Sequence, residues 1–289
     1  MVEPNTRGSM IADVLLLLLG IIAALVCLFP MWHTVMASLS DGFLLLSHKG
    51  LVLTPVGGAT LDGYRLLFRD QGILTGYMNT ILYTLANIGL GFVINVIGGY
   101  ALSRPSKLKS AFAVFFIFPM MFSGGMTATF IIMNGLGLVN SRWAIILQEC
   151  TSVMNLIFAM NAFASVPEAT VESARMDGAG HMRIMFQIML PQCLSMFTIT
   201  ILMGFVGSWN NWLTASIYVP FDRAKWPLQL WIQQITSDNA DALRTSNPDY
   251  TKLLIQHCVI VASTLPILIA FPFFQKQFEK GMVLGAVKG

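Results

Sequence analysis

Six stretches of this chain, roughly residues 14–32, 78–102, 111–132, 143–164, 186–218 and 253–274, stay apolar for the length of a membrane span. No other feature limits the fold as strongly. A helix that crosses the hydrocarbon core needs about 20 apolar residues. Water is absent there, so each segment must satisfy its own backbone N–H and C=O groups, which favours helices. The period-2 alternation of a membrane barrel is missing. Composition agrees, with 55% hydrophobic and 11% charged residues, whereas soluble domains carry about 25% charged residues. The sequence predicts an all-α integral membrane protein with six transmembrane helices in a single domain over residues 1–289.

The same residues exclude several functions. The net charge is +3 and there is no basic cluster, which leaves nothing to grip nucleic acid. Cys27, Cys150, Cys193 and Cys258 each fall in a different span without a C-x-x-C pair. Small apolar packing is the expectation for them, not a disulfide or a metal site. His33, His48, His181 and His257 are scattered, with no H-E-x-x-H motif and no nucleophile elbow, so no catalytic residue is nominated. A phosphate-binding G-x-x-x-x-G-K-S/T loop is also missing, so any ATP chemistry would have to be supplied by another chain. The first span lacks a small-residue cleavage site and reads as an uncleaved helix. Arg7-Gly8-Ser9-Met10 resembles a cloning remnant, residues 1–9, ahead of a native start at Met10.

Loop 103–110 carries Arg104, Lys107 and Lys109 with no acid. Short basic loops stay on the cytoplasmic side. With six spans, both termini, the loop holding Glu172 and the tail with Lys276, Lys280 and Lys288 share that side. The outer side receives segments 33–77 and 219–252, punctuated by Ser40-Asp41-Gly42, Pro55-Val56-Gly57-Gly58 and Ser246-Asn247-Pro248-Asp249. Such turn signals predict short helices, since neither segment can bury a core of its own. Trp209, Trp212 and Tyr218 fit an aromatic belt at the outer end of the fifth span.

Between the fourth and fifth spans lies a charged loop, 165–185. Ser165-Val166-Pro167-Glu168 predicts a helix start in which Ser165 caps and Glu168 completes a capping box. Asp177-Gly178-Ala179-Gly180 permits a sharp reversal. Ala169, Ser173 and Met176 fall near one face of the intervening helix, a small surface able to lie in a groove of another subunit. Pro191 sits near the start of the next helix, where its missing N–H costs least. Taken alone, these features also suit a simple connecting loop.

Glu172-Ser173-Ala174, Gly178 and Ile188-Met189-Leu190-Pro191 have the spacing E-x-A, three residues, G, nine residues, I-x-L-P. This pattern resembles the EAA loop of permease subunits of bacterial ATP-binding-cassette importers. Ser173 stands where that family usually has a second alanine, a nearly size-neutral departure. Asn79-Thr80, Gly99-Tyr100-Ala101-Leu102-Ser103-Arg104, Leu136-Gly137-Leu138-Val139-Asn140-Ser141 and Trp209-Asn210 extend the likeness. So does the tail Gly281-Met282-Val283-Leu284-Gly285-Ala286-Val287-Lys288-Gly289. Together they resemble the maltose-G-type carbohydrate permeases. Phe122-Ser123-Gly124-Gly125 points to the branch that imports oligo- and polysaccharides. Within it, general likeness is greatest to permeases of alginate importers.

The resemblance implies the type I importer permease fold, with a cytoplasmic coupling helix, in the bacterial inner membrane. Its implied partners are a second homologous permease, two ATPase subunits that hold ATP and Mg, and a periplasmic solute-binding protein. Membrane lipid and a carbohydrate cargo, alginate or its oligosaccharides, complete the set, with no cofactor in this chain. Coupling to the ATPase carries over to Glu172, Ser173, Ala174, Asp177, Gly178, Leu190 and Pro191. The tail residues Gly285, Val287, Lys288 and Gly289 correspond to those reaching the ATPase interface. ATPase closure would rotate the helices to open the pathway outward, while the outer loops, 219–252 among them, engage the binding protein.

Asn87, Asn95, Gln148, Glu149, Asn155 and Asn161 fall inside candidate spans. An ionised carboxylate at the bilayer centre costs about 2.5–3.5 kcal/mol on insertion scales, so Glu149 must face a cavity, water or a partner. Glu149 and Asn155 are candidates for lining the sugar pathway, although six residues apart. Hydration near the outer surface, or a bond across the subunit interface, is the alternative for Glu149. The asparagines fit interhelical hydrogen bonds, typically below about 2 kcal/mol each. Arg142, Lys225 and His257 are candidate positive groups for an acidic sugar, although acids nearly balance bases outside. Two further functions stay open: a permease for a neutral oligosaccharide, and a stand-alone secondary transporter, whose inverted repeats and paired charges are not visible.

Overall fold

The computed structural model describes residues 7–105, 109–122, 124–237 and 249–286, and every regular element among them is helical. In chain order these are α1 (Arg7–Ser38), α2 (Gly42–Ser47), α3 (Asp62–Arg69), α4 (Gln71–Ser103), α5 (Lys109–Met121), α6 (Gly125–Gly135), α7 (Arg142–Glu149) and α8 (Val153–Ala164). There follow α9 (Glu168–Met176), α10 (His181–Arg183), a π-helical turn (Ile184–Met189), α11 (Leu190–Gln192), α12 (Leu194–Asn210) and α13 (Leu213–Tyr218). A 3₁₀ turn (Arg223–Lys225), α14 (Leu228–Thr236) and α15 (Asp249–Ala286) complete the order. Among the described residues, three helices contain segments long and apolar enough to cross a membrane: Ala12–Ser38, Gln71–Ser103 and Lys252–Phe273. Three bent helix pairs raise the number to six if each pair is one span.

The chain divides into two compact units. The first comprises Met1–Asp70 and Ile235–Thr264. Leu16, Leu19 and Val26 of α1 are exposed, and none of its apolar window is buried. A helix apolar all round and unburied has lipid as its natural surroundings. Asp41 caps α2, its carboxylate accepting from the N–H groups of Phe43 and Leu44. The segment after α1 is pinned by polar contacts. Val52 N–H donates to His33 Nδ1 at 2.9 Å, and Ser38 shares a 2.8 Å hydrogen bond with the Tyr64 hydroxyl. Helix α3 approaches α15 so closely that a Cβ at Gly63 would lie 2.5 Å from Cys258 Sγ.

The second unit comprises Gln71–Gln234 and Leu265–Gly289. Helix α4 is its spine, packed on α8 and α12. Glycines set the spacing: a Cβ at Gly99 would meet Ala159 Cβ at 2.6 Å, and one at Gly98 would meet Leu156 Cδ1 at 2.7 Å. In lipid there is little hydrophobic drive between helices, so such small-residue contacts let dispersion hold them together.

Several expected spans are broken. The stretch 111–132 is divided between α5 and α6, with Gly125 at φ +73°. The fourth bends by 45° between α7 and α8. The stretch 186–218 bends by 80° at Cys193 and breaks again between α12 and α13. The π turn ends just before Pro191, whose ring and missing N–H disfavour a regular α-helical turn there. The aromatic belt also needs correction. Trp209 and Tyr218 are buried and stack on Phe205 and Phe130, which leaves Trp212 as the exposed member. All four cysteines are free; Cys193 and Cys258 are buried, Cys150 half-buried and Cys27 exposed.

Candidate functional site

The loop after α8 folds into a short helix, but by a different start from the one expected. Ser165 does not cap α9: its hydroxyl donates back to the Ala162 carbonyl at 2.8 Å and closes α8. The N-cap of α9 is Pro167, which makes no side-chain cap, and Glu168 is the first helical residue. Acids favour that end of a helix, and Glu168 also pairs with Arg104 at 3.5 Å. The helix end matches expectation. Gly178 takes φ +77°, Ala179 N–H donates to Ala174 C=O at 2.9 Å, and Gly178 N–H donates to Arg175 C=O at 3.0 Å. That pair of bonds is a Schellman closure, which requires a left-handed residue where glycine is least strained.

Two faces of α9 are distinct. Val171 and Ala174 are buried, at 0% and 7% exposure, in a cluster with Phe163, Ile184, Met189 and Phe197. Glu172, Ser173, Ala169 and Asp177 face outward, and Met176 is 89% exposed. Of the residues nominated for coupling, Ala174 therefore belongs to the inner face. Leu190 is half-buried against the same cluster, while Pro191 and Gly178 are exposed. Two contacts join this platform to the end of α4: Tyr100 OH meets His181 Nδ1 at 3.0 Å, and Arg104, whose guanidinium lies 5.6 Å from the Tyr100 ring centre, makes the ion pair with Glu168. Of the tail, Gly285 lies in α15, whereas Val287, Lys288 and Gly289 lie outside the described residues, as do Lys107 and Ser123.

A second polar cluster sits within the apolar spans. Asn87 donates through Nδ2 to Glu149 Oε2 at 3.3 Å and to Ser208 Oγ at 2.9 Å. Asn211 donates to Glu149 Oε1 and, at 3.0 Å, to Thr214 Oγ1. The break between α7 and α8 puts Glu149 and Asn155 on one cavity of about 40 Å³, despite their separation in sequence, with Asn87, Asn95 and Thr200 on its wall. Sequence reasoning missed Ser208, Asn211 and Thr214. The polar run Ser208 to Thr214, inside an otherwise apolar stretch, was the available signal.

A third group involves two of the nominated basic residues. Arg142 donates to Asn79 Oδ1 at 3.2 Å, and Asn79 donates to the carbonyls of Ala224 and Trp226 at 2.8 and 3.0 Å. Lys225 donates to the Asn140 carbonyl and pairs with Asp222 at 2.8 Å. The hydrogen bond from Lys225 holds the Asp222 carboxyl below its ordinary range. Asn79 thus fastens the segment after α13 to α4, with Arg142 bonded to its amide oxygen, while Lys225 ties that segment to the loop before α7. His257 belongs to the other unit, where its ring meets that of His33 edge-on at 5.9 Å. Among the described residues no His, Cys, Asp and Glu cluster fits a metal ion.

Residues 73–283 match the family described as binding-protein-dependent transport system inner membrane component. The chain belongs to this permease family. It is 34% identical to the polygalacturonan/rhamnogalacturonan transport system permease protein YtcP of Bacillus subtilis, over 92% of this chain and 94% of the relative. It is 32% identical to Protein LplC of the same organism, over 99% and 97% of the two chains. A chain from the crystal structure of a bacterial ABC transporter involved in import of the acidic polysaccharide alginate superposes with TM-score 0.83 at 27% identity. That alignment covers 96% of this permease and all of the other chain. The expected type I permease fold is the fold observed. The permease is a membrane component of a sugar importer of the ATP-binding-cassette class, a transport subunit and not an enzyme.

Proposed function

We propose that this permease moves uronate-rich oligo- or polysaccharides, of the alginate and pectin kind, and is driven by a separate ATPase docked on the outer face of α9. The observation that carries the coupling half is the contrast between its two faces. A nine-residue helix, closed by Gly178 and anchored through Val171 and Ala174, presents Glu172, Ser173 and the apolar Met176 outward. A helix held through its inner face, with an outer face of small, acidic and apolar side chains, offers a partner subunit a surface to dock on. The basic loop 103–110 supports a cytoplasmic placement of this face and of both termini. ATP and Mg would be bound by two such ATPase subunits. A second permease completes the pathway and a periplasmic solute-binding protein delivers the cargo. The exposed coupling set is Glu172, Ser173, Asp177, Gly178 and Pro191, with the tail Gly285, Val287, Lys288 and Gly289 reaching the ATPase interface.

The cargo half is supported by the relatives, one bearing the name of polygalacturonan and one that of alginate, both polymers of uronic acids. Uptake by the reconstituted complex should be measured with galacturonate and mannuronate trisaccharides beside maltotriose. Saturable, ATP-dependent uptake of a uronate trisaccharide with little uptake of maltotriose is expected. The reverse preference contradicts the uronate assignment and favours a neutral oligosaccharide, the cargo of relatives such as the Streptococcus pneumoniae maltodextrin permease, 28% identical.

A further inference from the structure

We infer that the cavity at the α7–α8 break is a subsite for sugar hydroxyl groups, with Asn87 and Glu149 as its hydrogen-bond acceptors. The inference rests on the importer reading in one respect, that the cargo is a sugar chain. Asn87 is 3% exposed and lines the cavity, and both bonds of its amide are made by Nδ2. Its Oδ1 is buried without a hydrogen-bond partner. Buried carbonyl oxygens are nearly always paired, so an unmatched one beside a cavity asks for a donor. Glu149 adds carboxylate oxygens on the same wall and is steadied by Asn87 and Asn211.

Size and charge narrow the ligand. A cavity of about 40 Å³ has room for about three water-sized groups. It suits one or two hydroxyls of a passing sugar, not a whole ring. Its lining contains no Lys, Arg or His, so a carboxylate finds no cation there and meets Glu149. The cavity therefore takes the hydroxyl edge of a saccharide and turns any uronate group away. Because the acceptors sit on α4 and at the end of α7, and Thr200 on α12 forms another wall, movement of these helices changes the subsite. That suits transient contact during passage.

The test uses the full reconstituted complex in proteoliposomes, with whichever of galacturonate, mannuronate or glucose trisaccharide the wild type imports, and a deoxygenated analogue of it. Glu149→Gln replaces one acceptor oxygen by a donor at constant size. KM for the trisaccharide is expected to rise about fivefold or more, as for loss of one hydrogen bond of about 1 kcal/mol. The analogue lacking the bound hydroxyl should show no difference between variant and wild type. An unchanged KM, or an equal loss for both sugars, overturns the subsite. If Glu149→Gln does not assemble, Thr200→Met decides the matter by filling the cavity from the opposite wall. A raised KM supports the subsite and a normal one overturns it. A wild-type complex that imports no sugar overturns the importer reading itself, and is told apart from failure of the subsite by the wild-type rate alone.

Discussion

The hydroxyl of Tyr100, near the end of α4, meets Nδ1 of His181 at 3.0 Å, on the first residue after the α9 turn. Tyr100 is buried and packs edge-on against Phe163, so this bond ties the exposed platform to the spine of the second unit. Tyr100→Phe should keep the packing and lose the bond. The expected cost is about 0.5–1.5 kcal/mol of stability, read as a lower midpoint in thermal unfolding of the purified complex. Sugar-stimulated ATP hydrolysis should fall further than basal hydrolysis, because a looser link transmits less of the displacement.

Gly178 has φ +77° and open space where a Cβ would go, so its substitution costs conformational energy without a clash. A residue other than glycine in this region costs about 1–2 kcal/mol, least for asparagine. Gly178→Val should therefore destabilise the loop more than Gly178→Asn. Limited proteolysis between α9 and α10 provides the readout, with cleavage faster in the order Val, Asn, Gly.

Gly91 and Gly89 form a matched pair on α4. A Cβ on Gly91 would fall 1.9 Å from the Cys150 carbonyl oxygen, whereas one on Gly89 meets nothing within 4 Å. Gly91→Ala must push α4 away from the α7–α8 break, an overpacking cost of typically about 1–3 kcal/mol. Gly89→Ala should be neutral or slightly stabilising, since alanine is the better helix former. Thermal unfolding of the two variants in detergent separates them, and equal midpoints would count against the close approach of α4 to the break.

Asp222 caps the 3₁₀ turn, accepting from Ala224 N–H at 3.2 Å and pairing with Lys225. Its carboxyl is held below the ordinary range by the Lys225 hydrogen bond. A lowered folded-state value means that the pair contributes stability above the unfolded value of about 3.9 and loses it as pH falls through the folded value. Hydrogen exchange over residues 222–226, corrected for its intrinsic pH dependence, should accelerate only below about pH 4. Asp222→Asn should remove that step.

What the chain reveals by reading follows the range of the interactions. Gly178 is legible because a local turn needs a left-handed residue three positions before the next helix. The inner face of α9 is legible in principle, since Val171 and Ala174 are three apart and share a side. The start of α9 misleads because Ser165 has two local acceptors within reach and satisfies the end of α8 instead. Competition of that kind is common for serine. The Asn87–Glu149–Asn211 cluster joins residues 62 apart on either side of Glu149, and no sequence period encodes such a meeting. The breaks at Cys193 and between α7 and α8 were hidden for a related reason. Hydropathy averages over a window and reports apolarity, not straightness.

The most direct test of the account is ATP-driven sugar uptake by proteoliposomes containing the complete complex with Glu172→Lys. The variant reverses a charge on the exposed face of α9 and leaves the buried anchors Val171 and Ala174 untouched. Membrane insertion at the wild-type level with uptake abolished is the predicted result. Uptake at the wild-type rate would contradict the claim that α9 receives the force of a separate ATPase.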